Sequence, residues 1–298
     1  MGASAATTAA PRFEPALMRR KISGTIFYGA CLLAIGILLL TLLLLLWDVL
    51  TRGLPWLDWD FLTGSPSRRP ANSGILPALV GSVQIAIIVG LTTFPTGIAA
   101  AIYLSEYATD SRLNRLLQTN ISNLAGVPSI IYGIFGLALF VRLMGFGYSL
   151  VSGALTLALL IMPIVIVAAI EALRAVPEAQ REGAYALGAS RWQTVRGSVL
   201  PAAAPGIMTG VILAMARAIG EAAPLLIVGA FTFVTFIPNP FEGGYTVLPV
   251  QVYGWASRPQ EDFQSIAAAA IIVILVLMFL LNLLAIVIRV RLSRHIRW

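Results

Sequence analysis

Two opposite charges lie inside one of the most apolar stretches of the chain. Residues 206–230 read GIMTGVILAMARAIGEAAPLLIVGA, with Arg217 and Glu221 about halfway along. A charge at the centre of a bilayer costs about 2.5–3.5 kcal/mol on insertion scales. Residues four apart on a helix are neighbours and can pair, which lowers that cost. The spacing predicts an ion pair in the middle of a span. Such a pair has two possible roles: it locks helix packing, or it guides an anion through the membrane. We favour the second role, in which Arg217 contacts the anion and Glu221 orients Arg217.

Small residues precede this pair at regular intervals. Gly206, Gly210 and Ala214 repeat every four positions, and Gly210 lies seven residues before Arg217. Stripes of small residues allow two helices to approach closely. Because seven residues bring a helix back to within about 20° of the same direction, we expect the pair to face protein or a water-filled path.

The chain offers little material for catalysis. It has no G-x-x-x-x-G-K-[ST] phosphate loop, and its single lysine is Lys21. The single histidine, His295, lies in an arginine-rich tail, and the single cysteine, Cys31, lies in an apolar run. Neither a Ser/His/Asp set nor a metal site can be assembled from these residues. We therefore predict a non-catalytic chain without a cofactor or metal of its own.

A polar loop, residues 171–206, separates two long apolar runs. Pro177 suits the first turn of a helix, and Glu178 and Glu182 favour its positive end. Gly188 can end that helix in a left-handed conformation. We expect a second short helix from about Ser190 that ends before Pro201. The prediction is a helix–turn–helix at the membrane surface.

The composition of the chain indicates that membrane-spanning helices position the charged pair and the polar loop. Apolar residues make up 58% of the chain and charged residues 11%, where a soluble domain has about 25% charged residues. The sequence predicts an all-α integral membrane protein with six spanning helices, each near the ~20 residues that a bilayer requires. The expected spans are 25–50, 76–104, 121–143, 150–170, 207–230 and 266–289. These spans divide the chain into a tail (1–24), a first span (25–50), a transmembrane domain (76–289) and a second tail (290–298).

Positive residues orient the chain, because cytoplasmic loops carry an excess of Lys and Arg. The residues placed inside are Arg12, Arg19, Arg20, Lys21, Arg112, Arg115, Arg174, Arg181, Arg191, Arg196, Arg289, Arg291, Arg294 and Arg297. Those placed outside are Arg52, Arg68, Arg69 and Arg258, with Arg142 at a helix end. Both termini and the polar loop are therefore predicted to be cytoplasmic. The net charge of +7 follows from this dispersed pattern and does not indicate nucleic-acid binding.

Four residues inside apolar runs are candidate hinges. Pro95 and Gly97 lie in the second predicted span, and Gly126 and Pro128 lie in the third. Proline removes a backbone hydrogen bond and can kink a helix. These positions either bend during alternating access or are static kinks, and the sequence leaves both interpretations open.

The polar loop resembles the "EAA" coupling loop of ABC-importer permeases. That pattern is Glu-Ala-Ala, three residues, Gly, nine residues, then Ile-x-Leu-Pro. Glu182, Ala184, Gly188, Leu200 and Pro201 match it, whereas Gly183 and Ser198 depart from it. The resemblance implies a type I importer fold in which these residues, Gly183 included, form coupling helices that dock on a separate ATPase. ATP and Mg would be bound by that partner and not by this chain.

Other segments narrow the resemblance to the phosphate-specific importers, in their PstA-type permease. They are RAIGEAAPLLIVGA (217–230), LAGVPSIIYGIFGLALFV (124–141), FLTGSPSRRP (61–70) and EGAYALGASRWQTV (182–195). The resemblance implies a phosphate-import role for Arg217 and Glu221, and a bacterial or archaeal cytoplasmic membrane. Its implied partners are a PstC-type sister permease, two PstB-type ATPase copies, an extracytoplasmic phosphate-binding protein and the lipid bilayer. A permease for another oxyanion or nutrient, and an ATP-independent transporter or scaffold, remain as alternatives.

Overall fold

The computed structural model describes residues 17–109, 111–231, 233–241 and 243–293. The chain forms two compact units, Met1–Asp48 and Val49–Trp298. Most of the predicted tails, 1–16 and 294–298 with His295, lies outside the described residues. Within the described part, the ordered elements are helices, and the only β contact is an isolated bridge between Ala230 and Tyr245.

The helices follow the apolar runs closely at four of the six predicted spans. In chain order they are α1 (Leu17–Gly53), α2 (Trp59–Thr63), α3 (Leu76–Ile102), α4 (Arg112–Leu124), α5 (Ser129–Gly136), α6 (Leu150–Arg174), α7 (Glu178–Ala186), α8 (Arg191–Thr194), α9 (Leu200–Gly220), α10 (Ala223–Ile227), α11 (Leu248–Ala256) and α12 (Glu261–Ser293). Wider π turns extend α3 (Tyr103–Tyr107), α5 (Leu137–Leu143) and α8 (Val195–Val199). Within the described residues, five helical segments are long and apolar enough to cross a membrane, and there are six if the bent pair α4–α5 is one span. The all-α membrane class with about six spans is confirmed.

The third predicted span, 121–143, is wrong as a single straight helix. The chain bends by 103° between α4 and the Ser129–Leu143 segment. Pro128, at φ −55° and ψ 135°, lies outside both helices, and proline also disfavours helical backbone at the residue before it. Gly126 adds no side chain to hold the turn in a helix. The predicted run therefore joins the end of an amphipathic helix to a short apolar one.

The fifth predicted span, 207–230, is also wrong as one helix. Helix α9 ends at Gly220, and Glu221 is extended at φ −81° and ψ 124°. Pro224 explains this end, because in a continuous helix its ring would clash with the carbonyl of Gly220 and leave it without a donor. The polypeptide then forms α10, which is only five residues long.

Helix α6 is the centre of the second unit. In the most apolar 18-residue stretch of α6, 67% of the residues are buried. The corresponding share is 39% for the α3 segment and 28% for the segment that ends at Gly220. Helices α3 and α9 pack extensively on α6, and α5 packs on it as well. A second cluster, around Phe61 and Trp255, joins α2, α11 and α12, with the two rings 6.1 Å apart.

Glycines allow the close approach of these helices to α6. A Cβ on Gly97 of α3 would lie 3.0 Å from Val165, and one on Gly206 of α9 would lie 2.8 Å from Ala172. Gly210 likewise contacts Ala168, the next turn along α6. The predicted small-residue stripe on α9 is therefore confirmed as a packing surface, and its partner is α6.

Candidate translocation site and coupling surface

The predicted pair of charges forms, but at the end of a helix and not in its middle. Arg217 lies in the last turn of α9, and Glu221 is the residue that ends it. The Nε atom of Arg217 lies 3.6 Å from Oε1 of Glu221, with side chains 46% and 20% exposed. The Arg217 side chain thus keeps much of its surface free of this chain. A basic residue in the last turn is also favoured by the negative end of the helix.

The packing of α9 on α6 shows how deep Arg217 lies. Gly206 contacts Ala172 and Gly210 contacts Ala168, so the two helices are antiparallel and advance in step. Arg217, seven residues after Gly210, therefore lies at the level of Ile161, seven residues before Ala168. Ile161 is close to the middle of α6, which runs from Leu150 to Arg174. Because α6 is a spanning helix, Arg217 lies near mid-membrane although its own helix stops there.

Non-helical backbone at this depth restricts what surrounds it. The peptide groups around Glu221 and Ala222 are not part of a continuous helix. In lipid each unsatisfied backbone group costs several kcal/mol, so such segments occur where protein or a water-filled cavity covers them. The break after Gly220 is consequently expected to line an interior path.

Helix α5 lies against this break. A Cβ on Gly133 would lie 2.8 Å from Cα of Pro224, so only glycine fits there without a shift. The neighbouring Tyr132 is buried, and its hydroxyl donates a hydrogen bond of 2.8 Å to the carbonyl of Leu124. The bend between α4 and α5 and the end of α9 therefore meet at one place.

This arrangement suits the guidance of an anion. A guanidinium presents a planar set of donors that fits carboxylate or phosphate oxygens and stays charged at all physiological pH values. Glu221 holds one side of Arg217 while the rest remains accessible. In a low-dielectric setting this charge attracts an anion far more strongly than it would in water.

The predicted helix–turn–helix of the polar loop is present in α7 and α8. Gly188 has a φ of +82°, as expected for a left-handed helix stop. The N–H of Gly188 donates to the carbonyl of Tyr185 at 2.9 Å, and the N–H of Ala189 donates to that of Ala184 at 3.1 Å. These two bonds form a Schellman motif, which satisfies the last carbonyls of α7.

Helix α8 begins with a capping box that was not predicted from the sequence. The Oγ of Ser190 accepts from the N–H of Gln193 at 3.4 Å, and the side chain of Gln193 accepts from the N–H of Ser190 at 2.8 Å. The Ser-x-x-Gln spacing was the available signal. Two fixed helix ends therefore flank a short turn, which keeps the α7–α8 segment in one shape.

The expectation of a separate second helix that stops before Pro201 is wrong, because one continuous helical segment runs from Arg191 to Gly220. The backbone passes from α8 through the π turn into α9, and Pro201 lies in the first turn of α9. Proline is tolerated in a first turn because its missing N–H has no helical partner there. Leu200 and Pro201 therefore mark the entry into the span and not the end of the loop.

The exposed face of α7 and α8 carries apolar side chains that no described residue covers. Leu187 is 90% exposed and Trp192 is 54% exposed, and both lie in a polar segment at the end of the spans. Glu182 and Gly183 are exposed beside them, and Ala184 is partly exposed. Exposed apolar groups rimmed by polar ones are typical of protein–protein contact surfaces.

A buried ion pair behind this face was not predicted from the sequence. Arg181, directly before Glu182, donates from Nη2 to Oε1 of Glu106 at 2.8 Å and from Nε to Oε2 at 3.3 Å. Both residues are buried. The hydrogen bond to Glu106 raises the pKa of Arg181, although burial opposes this. An arginine beside the motif and a carboxylate at the end of a span were the available signals. The 75 residues between them left the pairing undetermined.

The four candidate hinges have different surroundings. Pro95 lies within α3, which continues past it, while the Thr92 and Thr96 hydroxyls donate to carbonyls one turn back. Gly97 packs tightly on Val165. Gly126 and Pro128 lie at the 103° bend. Pro95 and Gly97 therefore lie in a packed helix, and Gly126 and Pro128 lie at a bend. Movement at any of the four positions stays a prediction.

Comparison with known proteins agrees with this architecture. Residues 93–298, which include α4 to α12 and the end of α3, match the family described as "Binding-protein-dependent transport system inner membrane component". The chain belongs to this family. It is thus a transmembrane subunit of an ABC importer, and such a subunit works with a solute-binding protein and an ATPase.

Curated relatives cover most of the chain. It is 37% identical to "Probable ABC transporter permease protein YqgI" of Bacillus subtilis, over 72% of this chain and 73% of that protein. It is 34% identical to "Phosphate transport system permease protein PstA 1" of Mycobacterium tuberculosis H37Rv, over 83% and 81%. For "Phosphate transport system permease protein PstA" of Haemophilus influenzae the identity is 36%, over 84% and 88%.

Solved structures share the fold at low identity. An inward-facing form of the MetNI methionine ABC transporter matches with a TM-score of 0.61 and 17% identity, over 73% of this chain and 95% of that chain. A bacterial ABC transporter involved in alginate import matches with a TM-score of 0.60 and 15% identity, over 92% and 98%. The fold is that of a type I ABC importer permease.

Proposed function

We propose that this subunit imports inorganic phosphate and lines half of the translocation path. The observation that carries the proposal is Arg217, a partly exposed guanidinium near mid-membrane at a helix break. Relatives named as phosphate permeases, at 34–36% identity over most of the chain, support phosphate as the substrate. Arg217 meets the anion, and Glu221 holds the guanidinium in position.

The accessible side of Arg217 faces the other half of the path. A single subunit leaves that side exposed, as expected if a second permease closes it. We take this second permease to be a PstC-type sister subunit, so that the anion passes between two chains. Transport sites at a subunit or repeat interface near the membrane centre, next to interrupted helices, are a recurrent arrangement in transporters.

The α7–α8 face docks on the ATPase. Leu187 and Trp192 supply apolar contacts, and Glu182 supplies a rim charge. We assign the ATPase to the PstB type, with two copies per importer, of which one contacts this chain. ATP and Mg bind there, while this chain transmits the movement.

The orientation follows from charge. The segments on the α7–α8 side carry Arg112, Arg115, Arg174 and Arg196, as expected for the cytoplasmic side. Both termini are then cytoplasmic, in the membrane of a bacterium or archaeon. The opposite side, which includes α2 and α11, receives the phosphate-binding protein.

Labelled-phosphate uptake by the purified importer in proteoliposomes tests this function. Uptake is expected only when ATP is supplied on the ATPase side and loaded binding protein on the other, and excess unlabelled phosphate should suppress it. Sulfate or another oxyanion that competes as well as phosphate would move the assignment to a different substrate. Uptake that needs no ATPase would overturn the importer role itself.

A further inference from the structure

Arg181 connects three elements through one buried side chain. Besides its two bonds to Glu106, it donates from Nη2 to the carbonyl of Leu173 at 3.0 Å and from Nη1 to that of Val176 at 2.8 Å. Nη1 also reaches Oε2 of Glu178 at 3.3 Å. The bonded groups belong to the end of α6, to the residues just after it, to α7 itself and to the π turn that extends α3.

Among the described residues, the backbone of α7 packs mainly on α8 and on the π turn after α8, and not on α3 or its Tyr103–Tyr107 turn. A cleft of about 1010 Å³ opens beside the pair, lined by residues of both sides and of α4. A second link, Arg191 at 5.1 Å over the ring of Tyr107, comes from α8. Such a contact at an exposed site is weak.

We propose that Arg181 and Glu106 are positioning residues that hold α7 at a fixed distance from the inner end of α3. Movement of α7 by the ATPase then moves α3 and α6 with it, instead of closing the adjacent cleft. This inference rests on the proposed coupling role of α7 and adds the route by which its movement enters the spans.

Burial gives the pair the stiffness that this role requires. An exposed ion pair is weak and exchanges freely with water. Removing one partner of a buried pair leaves an uncompensated charge, which is strongly unfavourable. The two-pronged geometry of Arg181 on Glu106 also fixes direction as well as distance. From α3 the contact of Gly97 with Val165 carries the displacement to the middle of α6.

Distance measurement between spin labels tests the fixed separation directly. Labels on Tyr103→Cys and Ala179→Cys, in a Cys31→Ser background, report the separation of the π turn and α7 in the assembled importer. Both positions are exposed in this chain. In the otherwise unchanged importer we expect one narrow distance that is the same without nucleotide and with trapped ATP. With Glu106→Gln added, we expect a broader distribution that shifts between the two states.

Transport measurements supply the functional half of the test. Glu106→Gln keeps the size of the side chain and an amide oxygen that can still accept from Arg181. Glu178, whose Oε2 lies 3.3 Å from Nη1 of Arg181, still offsets the arginine charge, so assembly should persist. Phosphate moved per ATP hydrolysed should fall about tenfold, with binding-protein-stimulated ATP hydrolysis largely kept. Arg181→Lys should give an intermediate ratio, because one ammonium cannot reproduce all of the bonds. Arg174→Gln is the matched control. On the same side, Arg174 pairs with Glu171 at 3.5 Å and donates to Oε1 of Gln118 in α4 at 2.6 Å, but Arg174 and Glu171 are exposed.

Three results would overturn the proposal. The first is a distance between the labels that Glu106→Gln does not change. The second is a distance that already differs between the nucleotide-free and ATP-trapped states in the unchanged importer. The third is an equal loss of uptake and ATP hydrolysis in a normally assembled Glu106→Gln importer. Failure of the proposed function looks different, because the unchanged importer would then show no ATP-dependent phosphate uptake at all.

Discussion

Arg217 and Glu221 pair across the end of a helix, with Nε and Oε1 3.6 Å apart. Four residues along a continuous helix would also bring the two side chains together, but here Glu221 already has extended backbone. The pair therefore closes the last turn of α9 at mid-membrane depth. Its role in phosphate movement, as opposed to simple stabilisation of this break, can be decided by experiment.

Removing both charges together separates the two roles. If the pair only stabilises, Arg217→Gln with Glu221→Gln should be tolerated, since no uncompensated charge remains. We expect instead that the double variant assembles normally and loses phosphate uptake. Arg217→Lys should also lose most uptake, because Lys keeps the charge without the fork that matches phosphate oxygens. Uptake and the amount of assembled complex are measured on the same membranes.

The matched control is Arg142→Gln. Arg142 is exposed and lies in the π turn that follows α5, away from the break. Its loss should leave uptake within about twofold of the unchanged importer. Near-normal uptake by a well-assembled Arg217→Gln/Glu221→Gln importer would leave only the structural role.

Gly188 tests the shape of the coupling segment. Its φ of +82° is costly for other residues, by about 1–2 kcal/mol, although there is open space around a Cβ there. We expect Gly188→Leu to insert and assemble with the sister permease but to bind the ATPase weakly, so that ATP no longer drives uptake. Gly188→Asn should be milder, because Asn tolerates this conformation. Co-purification of the ATPase and stimulated ATP hydrolysis measure the effect.

Gly197→Ala controls for the loss of a glycine in the same region. Gly197 has no positive φ, and a methyl group added there would have nothing within 4 Å. The Gly197→Ala variant should therefore bind the ATPase normally. Normal coupling in Gly188→Leu would show that the turn geometry is not required for docking.

The contact of Gly210 with Ala168 can be tested by a double-mutant cycle. Gly210→Ala places a methyl group against that of Ala168 and should destabilise the subunit by about 1–3 kcal/mol. Ala168→Gly makes room, so the double variant should lose less stability than the two single changes added together. Thermal unfolding of the purified complex gives the values. Strictly additive effects would mean that α6 and α9 do not meet at this point.

Cysteine accessibility tests the orientation. Ala186 on α7 and Ala256 on α11 are both exposed, and each can be replaced singly by Cys in a Cys31→Ser background. A membrane-impermeant thiol reagent applied to intact cells should label position 256 and spare position 186. Position 186 should react once the cells are opened. The opposite pattern would place α7 and α8 outside, where no ATPase can reach them.

Several features could be predicted from the sequence because their causes are local. The low share of charged residues and the long apolar runs identify a membrane protein whatever the packing. The small-residue stripe of α9 follows from helical spacing, and Gly188 ends α7 by its own backbone freedom. The Arg217–Glu221 pair needed only a four-residue separation.

Only the tertiary structure decided where the spans break and which distant residues meet. A hydropathy window measures composition, so it ran through Pro128 and Pro224 without a break, whereas the chain bends at one and ends a helix before the other. Whether a proline kinks or interrupts a membrane helix depends on neighbours that can cover the freed backbone groups. Glu106 and Arg181 meet because α3, α6 and α7 converge at one end. That long-range packing is set by the whole set of helix contacts and not by any local run of residues.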